Sequence, residues 1–261
     1  MPAEYIIALP VITLVVWLYM TGWFVVALLK NRNDVADIAW GLGFFVATFA
    51  GLAQSFNPTR SGLLVLMMVL VWGSRLSLHI YRRNHSKPED YRYAQWRHDW
   101  GKWFYIRSYF QVFMLQGVLL LFVATPALVV VTSSSEVMEW FLVIGFLIWL
   151  FGFVFESVAD RQLRNFVSDH HNRGKLMTRG LWSYSRHPNY FGEITQWWGL
   201  GVVSLGVANG AIGLLGPALI TYLIVKVSGI PLLEEKYKHN TDYQAYKRRT
   251  SSLIPLPPRR T

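Results

Sequence analysis

Seven apolar stretches, each close to the roughly 20 residues that cross a bilayer as a helix, leave this chain few folds to choose from. They are Tyr5–Leu29, Val35–Leu52, Gly62–Tyr81, Phe110–Val131, Met138–Val158, Tyr190–Val207 and Ala211–Val227. In hydrocarbon every backbone N–H and C=O must be satisfied internally, which selects helices. The predicted class is therefore all-α: a polytopic integral membrane protein with seven transmembrane helices under a cap of cytosolic loops and tail. Charged residues make up 15% of the chain, against about 25% in a soluble domain. The absence of cysteine excludes a disulfide framework and thiol chemistry, and no metal site is expected. Tyr5–Leu29 lacks a small-residue cleavage site, so it is expected to stay as the first membrane helix.

A net charge of +10 invites a nucleic-acid reading. The positions of the cations argue against it, and no nucleic-acid partner is expected. Lys30 and Arg32 follow the first span, seven Lys/Arg lie between Arg82 and Arg107, six between Arg161 and Arg186, and seven after Ser228. The alternate loops hold Arg60 and no other cation. With seven spans all the cation-rich loops fall on one side, and the positive-inside rule places the N-terminus outside and the C-terminal tail in the cytosol.

The densest polar pattern is GLWSYSRHPNYFGE, from Gly180 to Glu193. Pro188 suits the first turn of a helix and no interior position, so a helix is expected to start there. Arg186 and His187 then stand beside free backbone N–H groups, an arrangement that attracts phosphate or another anion. Asn189 and Glu193 are four apart and share a face. Trp182 and Tyr184 can alternatively be read as an aromatic belt at the membrane interface.

Further polar groups sit at span ends. Glu156, Asp160 and Arg164 are spaced by four and share the cytosolic end of the fifth span. An acidic pair entering a membrane needs polar company, which points to a ligand-facing role beside an ordinary Asp160–Arg164 pair. Between the third and fourth spans, the Trp-rich half with Trp96, Trp100 and Trp103 reads as an interfacial helix. The preceding run from Lys87 to Tyr93 is polar enough to fold over a ligand. In the tail, Pro231 starts a helix with Glu234 and Glu235 early in it. Asp242, Tyr243 and Tyr246 then precede the basic cluster Lys247–Arg249, which suits anionic membrane lipid.

RHPNYFGE after GLW and Tyr184 resembles the C-terminal domain of the steroid 5-alpha-reductase family, in particular its DUF1295 branch. A looser version of the motif is shared with isoprenylcysteine carboxyl methyltransferases. The reductase resemblance implies NADPH bound by the C-terminal part, residues 109–261, and a hydrophobic steroid-like or lipid substrate met by the N-terminal helices, residues 1–108, of a single membrane domain. Carried over by position, Lys87, Arg164 and Lys175 match basic contacts to cofactor phosphates. Asn189 and Glu193 match polar positions near the nicotinamide. Glu156, Asp160, Tyr184, Arg186, His187, Glu235 and Tyr243 complete the implied cofactor-binding set.

The implied reaction is reduction of a carbon–carbon double bond conjugated to a ketone, with an acid stabilising the developing enolate. The family places a Glu on the second helix and a Tyr on the third. Here the second helix offers Asp37, and the third carries Trp72 at the Tyr position, with Arg75, His79 and Tyr81 nearby. The implied catalytic set is Asp37, Tyr81 and Arg75, with Asp37 the expected partner of Arg75. The methyltransferase resemblance implies instead transfer from S-adenosylmethionine to a lipid or prenylated group, with His187, Tyr190 and the Glu234–Glu235 pair prominent.

Overall fold

Helices form where the apolar spans lie. A computed structural model describes residues 3–55, 57–85 and 87–259, and among these it contains helices and turns with one isolated parallel bridge, Ser185 to Ser251. In chain order the principal helices are α1 (Ala3–Lys30), α2 (Val35–Leu52), α3 (Arg60–Asn84), α4 (Tyr91–Trp100), α5 (Phe104–Arg107), α6 (Leu115–Val123) and α7 (Thr125–Val131). They continue with α8 (Glu139–Ser168), α9 (Pro188–Ser204), α10 (Leu215–Tyr222), α11 (Ile230–Lys236) and α12 (Thr241–Arg249).

Six helical runs are long and apolar enough to cross a membrane among the described residues, where the sequence suggests seven. The difference is the expected span Tyr190–Val207. It forms as α9, whose 17 residues extend only about 26 Å at 1.5 Å per residue, short of a hydrocarbon core of about 30 Å. The fourth span is also displaced. Expected at Phe110–Val131, it lies in the helical run Tyr91–Val123, which ends eight residues earlier. The interfacial helix α4 feeds into it through a π-helical turn at Ser108–Met114, and Pro126, in the first turn of α7, marks its far end.

The chain divides into two compact units, Met1–Leu142 with Val203–Gly216, and Val143–Val202 with Pro217–Thr261. In the first, α2 is the central helix, packed by α1, α3, α6 and α7. Small residues let its neighbours come close. A Cβ on Gly73 would stand 2.3 Å from the Gly41 carbonyl oxygen, a contact no side chain survives. One turn on, the Ser77 hydroxyl donates to the Ile38 carbonyl at 2.7 Å and accepts from the Leu42 N–H at 3.1 Å. Trp72 is buried against Phe44, ring centroids 5.5 Å apart.

The second unit repeats the device between α8 and α9. Added Cβ atoms would meet backbone at 2.7 Å from Gly152, 2.6 Å from Gly192 and 2.6 Å from Gly199. In a membrane no hydrophobic gain separates helix from lipid, so close backbone approach and dispersion hold helices together. Bound into this seam are Glu156 and Gln196, both buried, with Gln196 Nε2 donating to Glu156 Oε2 at 2.5 Å. Replacing Gly152 or Gly192 by Ala should lower stability by about 1–3 kcal/mol, as overpacking against backbone does. Gly22→Ala, whose Cβ meets nothing within 4 Å, is the control. Melting temperatures in one detergent check this, and equal values for Gly152→Ala and Gly22→Ala would deny the seam.

Candidate functional site

The GLW…RHPNY turn of the second unit is built by its own chemistry. Gly180 takes a positive φ of 61°, which opens a tight turn over Gly180–Ser183. Trp182 buries its ring and donates its indole N–H to the Ala159 carbonyl at 3.1 Å. Ser185 accepts from the His187 N–H at 3.1 Å, and α9 starts at Pro188, as its missing N–H favours. The C-terminal tail runs alongside. The Arg186 N–H donates to the Ser251 carbonyl at 2.8 Å, Ser185 Oγ to the Leu253 carbonyl at 2.8 Å, and the Leu256 N–H to the Tyr184 carbonyl at 3.0 Å. Tyr246 donates its hydroxyl to the Trp182 carbonyl.

Arg186 is buried at the centre. Its Nε and Nη2 reach Glu234 Oε1 at 3.0 and 2.5 Å, and its Nη1 donates to the carbonyls of Thr250 at 2.6 Å and Lys247 at 3.2 Å. Lys247 Nζ closes on the other oxygen of Glu234 at 2.6 Å. The guanidinium expected to attract an anion is thus committed to protein groups and holds the tail against the turn. His187 stacks on Tyr190 with centroids 5.6 Å apart, and its Nε2 stands 3.7 Å from Glu234 Oε1. Burial pulls the imidazole down to about 4; Glu234 opposes the shift and Arg186 adds to it. His187 is therefore neutral at neutral pH and offers polar atoms without charge.

The other residues of the implied cofactor set lie in this unit as well, Lys87 excepted. Glu156 and Asp160 are buried on α8, and Arg164 is exposed one turn further on. Lys175 is exposed on the loop after α8, and Tyr184 is half exposed. Asn189 and Glu193 are partly exposed on the first two turns of α9. Tyr243 is buried between the rings of Tyr237 and Tyr246, and burial raises its pKa. Glu235 points outward to Lys238 at 3.1 Å, whereas its neighbour Glu234 enters the cluster. The two carboxylates, expected early in the helix, lie past its first turn and look alike in sequence; only the register of α11 against Arg186 separates them.

Two features of this unit can accept a ligand. Arg164 and Lys175 are exposed cations that form no ion pair among the described residues. His187 Nε2, Gln196 Oε1 and Tyr243 Oη are buried polar atoms with no hydrogen-bond partner among the described residues. Buried polar atoms are normally satisfied, so unmet capacity around one motif points to a bound group.

In the first unit the implied catalytic residues lie on α2 and α3. Asp37, in the first turn of α2, accepts from the Tyr93 hydroxyl at 2.9 Å and lies 3.5 Å from Arg92. Arg75 was its expected partner and sits partly buried on α3, while the contacts that Asp37 makes come from α4. The polar run before α4 does fold inward. Glu89 accepts from the Asn33 N–H at 2.6 Å, and Arg97 bridges Glu89 and the Asn31 carbonyl. Tyr93 is the residue that sequence reasoning left inside this run without a role. Tyr81 is half exposed on the wall of a cavity of about 520 Å³ shared with Asp34 and Asn84. Lys87 is exposed, its carbonyl accepting from Arg32 at 3.4 Å.

Residues 23–250 match the family model described as "Protein of unknown function (DUF1295)". The chain belongs to the DUF1295 family. It is 26% identical over 206 residues to a protein of Schizosaccharomyces pombe described as uncharacterized, covering 67% of this chain and 58% of that one. It is 33% identical over 96 residues to a probable O-methyltransferase of Ustilaginoidea virens, covering 37% of this chain and 34% of the relative. It is 37% identical over 68 residues to human 3-oxo-5-alpha-steroid 4-dehydrogenase 1, covering 26% of each. The chain thus spans 58% of the length of the first relative, 34% of the second and 26% of the third. No solved structure matches.

The two tail carboxylates should separate on substitution. Glu234→Gln leaves Arg186 buried without its counter-charge and should cost about 3–5 kcal/mol. Glu235→Gln removes an exposed pair and should change stability by less than about 1 kcal/mol. Thermal unfolding of the two variants in detergent decides it; an equal effect would mean that the Arg186 cluster contributes nothing to the fold.

Proposed function

We propose that this membrane protein is an NADPH-dependent reductase of a carbon–carbon double bond conjugated to a ketone, acting on a hydrophobic, steroid-like or lipid substrate. The observation that carries the reading is the pairing of unspent exposed cations, Arg164 and Lys175, with unmet buried polar atoms around the start of α9. NADPH is rich in phosphate charge, for which Arg and Lys are the natural partners. The likeness to 3-oxo-5-alpha-steroid 4-dehydrogenase 1 supports the same class.

Bound NADPH would supply the hydride. In this reading Arg164 and Lys175 hold the phosphates, and Asn189 and Glu193 position the nicotinamide end from one helical face. Glu156, Asp160 and Tyr243 supply polar contacts, and Arg186 acts indirectly by fixing the tail against the turn. In the first unit, Asp37 and Tyr93 form the hydrogen-bonded pair able to hold a proton for a carbonyl oxygen, with Tyr81 and Arg75 as the further polar groups on α3. A hydrogen-bond donor at a developing enolate oxygen lowers the barrier most where water is excluded.

A second reading, an S-adenosylmethionine-dependent methyltransferase, has one observation in its favour, the likeness to a probable O-methyltransferase. S-adenosylmethionine carries one carboxylate and no phosphate, far less anionic charge for Arg164 and Lys175 to meet than NADPH, which favours the reductase. Thermal shift of the purified chain separates the two. At a hundred times its Kd, a ligand adds about 2.7 kcal/mol to the native state. NADPH should raise the melting temperature and S-adenosylmethionine should not; the reverse would establish the methyltransferase. Arg164→Ala and Lys175→Ala should each weaken NADPH binding by about 1.5–3 kcal/mol. With a steroid enone as substrate, Asp37→Asn and Tyr93→Phe should each slow reduction by about a hundredfold or more. Full activity in both would remove this pair from the chemistry.

The distribution of cations supports a topology with the N-terminus outside and the C-terminal tail in the cytosol, in which α9 crosses the membrane as a seventh segment beside the six longer helices. A reporter active only in the cytosol should work when fused after the tail and fail when inserted at Glu136. A cytosolic signal from Glu136 would reverse the assignment.

A further inference from the structure

Two cavities adjoin at one end of the first unit's helices. The larger, about 520 Å³, lies among the last turn of α1, the start of α2 and the last turn of α3. The smaller, about 280 Å³, runs along α1 past Leu18, Tyr19 and Gly22. Trp23 and Val26 line both, so the two form one continuous groove. Its halves differ in chemistry. The smaller is apolar along its length apart from the Tyr19 hydroxyl, which is turned away to the Ala39 carbonyl at 2.8 Å. The larger carries Lys30, Arg32 and Asn84 at its outer end.

That end has an excess of positive charge. Arg32 makes two bonds of 2.7 Å to buried Asp34 and is both neutralised and held in place. Lys30 is exposed and forms no ion pair among the described residues, which leaves one net positive charge at the mouth. Arg82 and Arg83 in the last turn of α3 mark the same level as a membrane boundary. From Lys30 to Leu18 the groove follows α1 for about 18 Å at 1.5 Å per residue, slightly more than half a hydrocarbon core of about 30 Å. The groove is open beside Gly22, where a Cβ would meet nothing within 4 Å, so only a longer side chain there would fill it.

We infer that this groove is a binding site for one membrane phospholipid with a net anionic headgroup. The phosphate sits against Lys30 beside the immobilised Arg32, and one acyl chain lies along α1 over Gly22. The charge at the mouth selects anionic over zwitterionic heads, and the depth of the groove matches one leaflet. The inference shares the Tyr81 wall of the larger cavity with the reductase reading, but its test needs neither NADPH nor an enone, so the two fail separately.

The test is native mass spectrometry of the full chain released from nanodiscs containing equal phosphatidylglycerol and phosphatidylcholine. The wild type should retain one phosphatidylglycerol in preference to phosphatidylcholine, on the order of five-fold for one cation near the surface. Lys30→Glu should abolish the preference. Gly22→Leu should fill the groove and remove the retained lipid while leaving the melting temperature in detergent unchanged. Equal retention of the two lipids by the wild type would overturn the site. So would phosphatidylglycerol retained normally by Gly22→Leu, which would reduce Lys30 to general surface attraction.

Discussion

A guanidinium withdrawn from water has to be answered on every side, and Arg186 imposes that demand on the whole second unit. Five N–H donors in a rigid fork require acceptors in fixed places. Glu234 supplies charge from α11, and the carbonyls of Lys247 and Thr250 supply the end of α12. Neither helix is long: α11 has 7 residues and α12 has 9. Helices of that length are unstable alone in water, so their place depends on what they tie to. The bonds from Ser185, Tyr246 and the Arg186 N–H then thread the tail along the turn that launches α9. The motif and the tail, more than sixty residues apart in sequence, are one construction.

The same logic of compensation explains the glycine contacts. Between α8 and α9 the backbones touch at Gly152, Gly192 and Gly199, and between α2 and α3 at Gly41 and Gly73. Close approach lets a polar pair such as Glu156 and Gln196 be shielded from lipid while remaining bonded to each other. A buried carboxylate is tolerated there because the neighbouring helix brings a donor to it, and because the seam leaves no room for hydrocarbon.

Much of this was legible in the sequence. Apolar length alone located the membrane helices, and Pro188 located the start of α9, because both signals are local. The exact length of α9 was less legible: apolar character continues to Val207, but the helix ends at Ser204. Non-local choices were not legible. Nothing in LLEEK says that Glu234 rather than Glu235 meets Arg186; that follows from the packing of α11. Asp37 was recognisable as a polar group at the start of α2, but its partners come from α4, more than fifty residues later.

The Asp37 cluster changes what α4 is. Trp96 and Trp100 stack on one another as an interfacial helix should. Yet Tyr93 is buried and bonded to Asp37, and Glu89 and Arg97 bind the chain around Asn31 and Asn33. The helix is therefore pinned to α2 and cannot drift on the lipid surface. On the reductase reading this also reorders the acid. An ordinary phenol, with a pKa near 10, keeps its proton at neutral pH, and the hydrogen bond runs from the Tyr93 hydroxyl to Asp37 at 2.9 Å. With Asp37 as the acceptor and Tyr93 as the donor, the proton belongs to the tyrosine. Asp37 then orients that hydroxyl, and a carbonyl oxygen that competes for the hydrogen bond takes the place of the carboxylate. The phenol missing from Trp72 on the third helix would thus be supplied from α4, by a residue whose sequence neighbourhood looks interfacial.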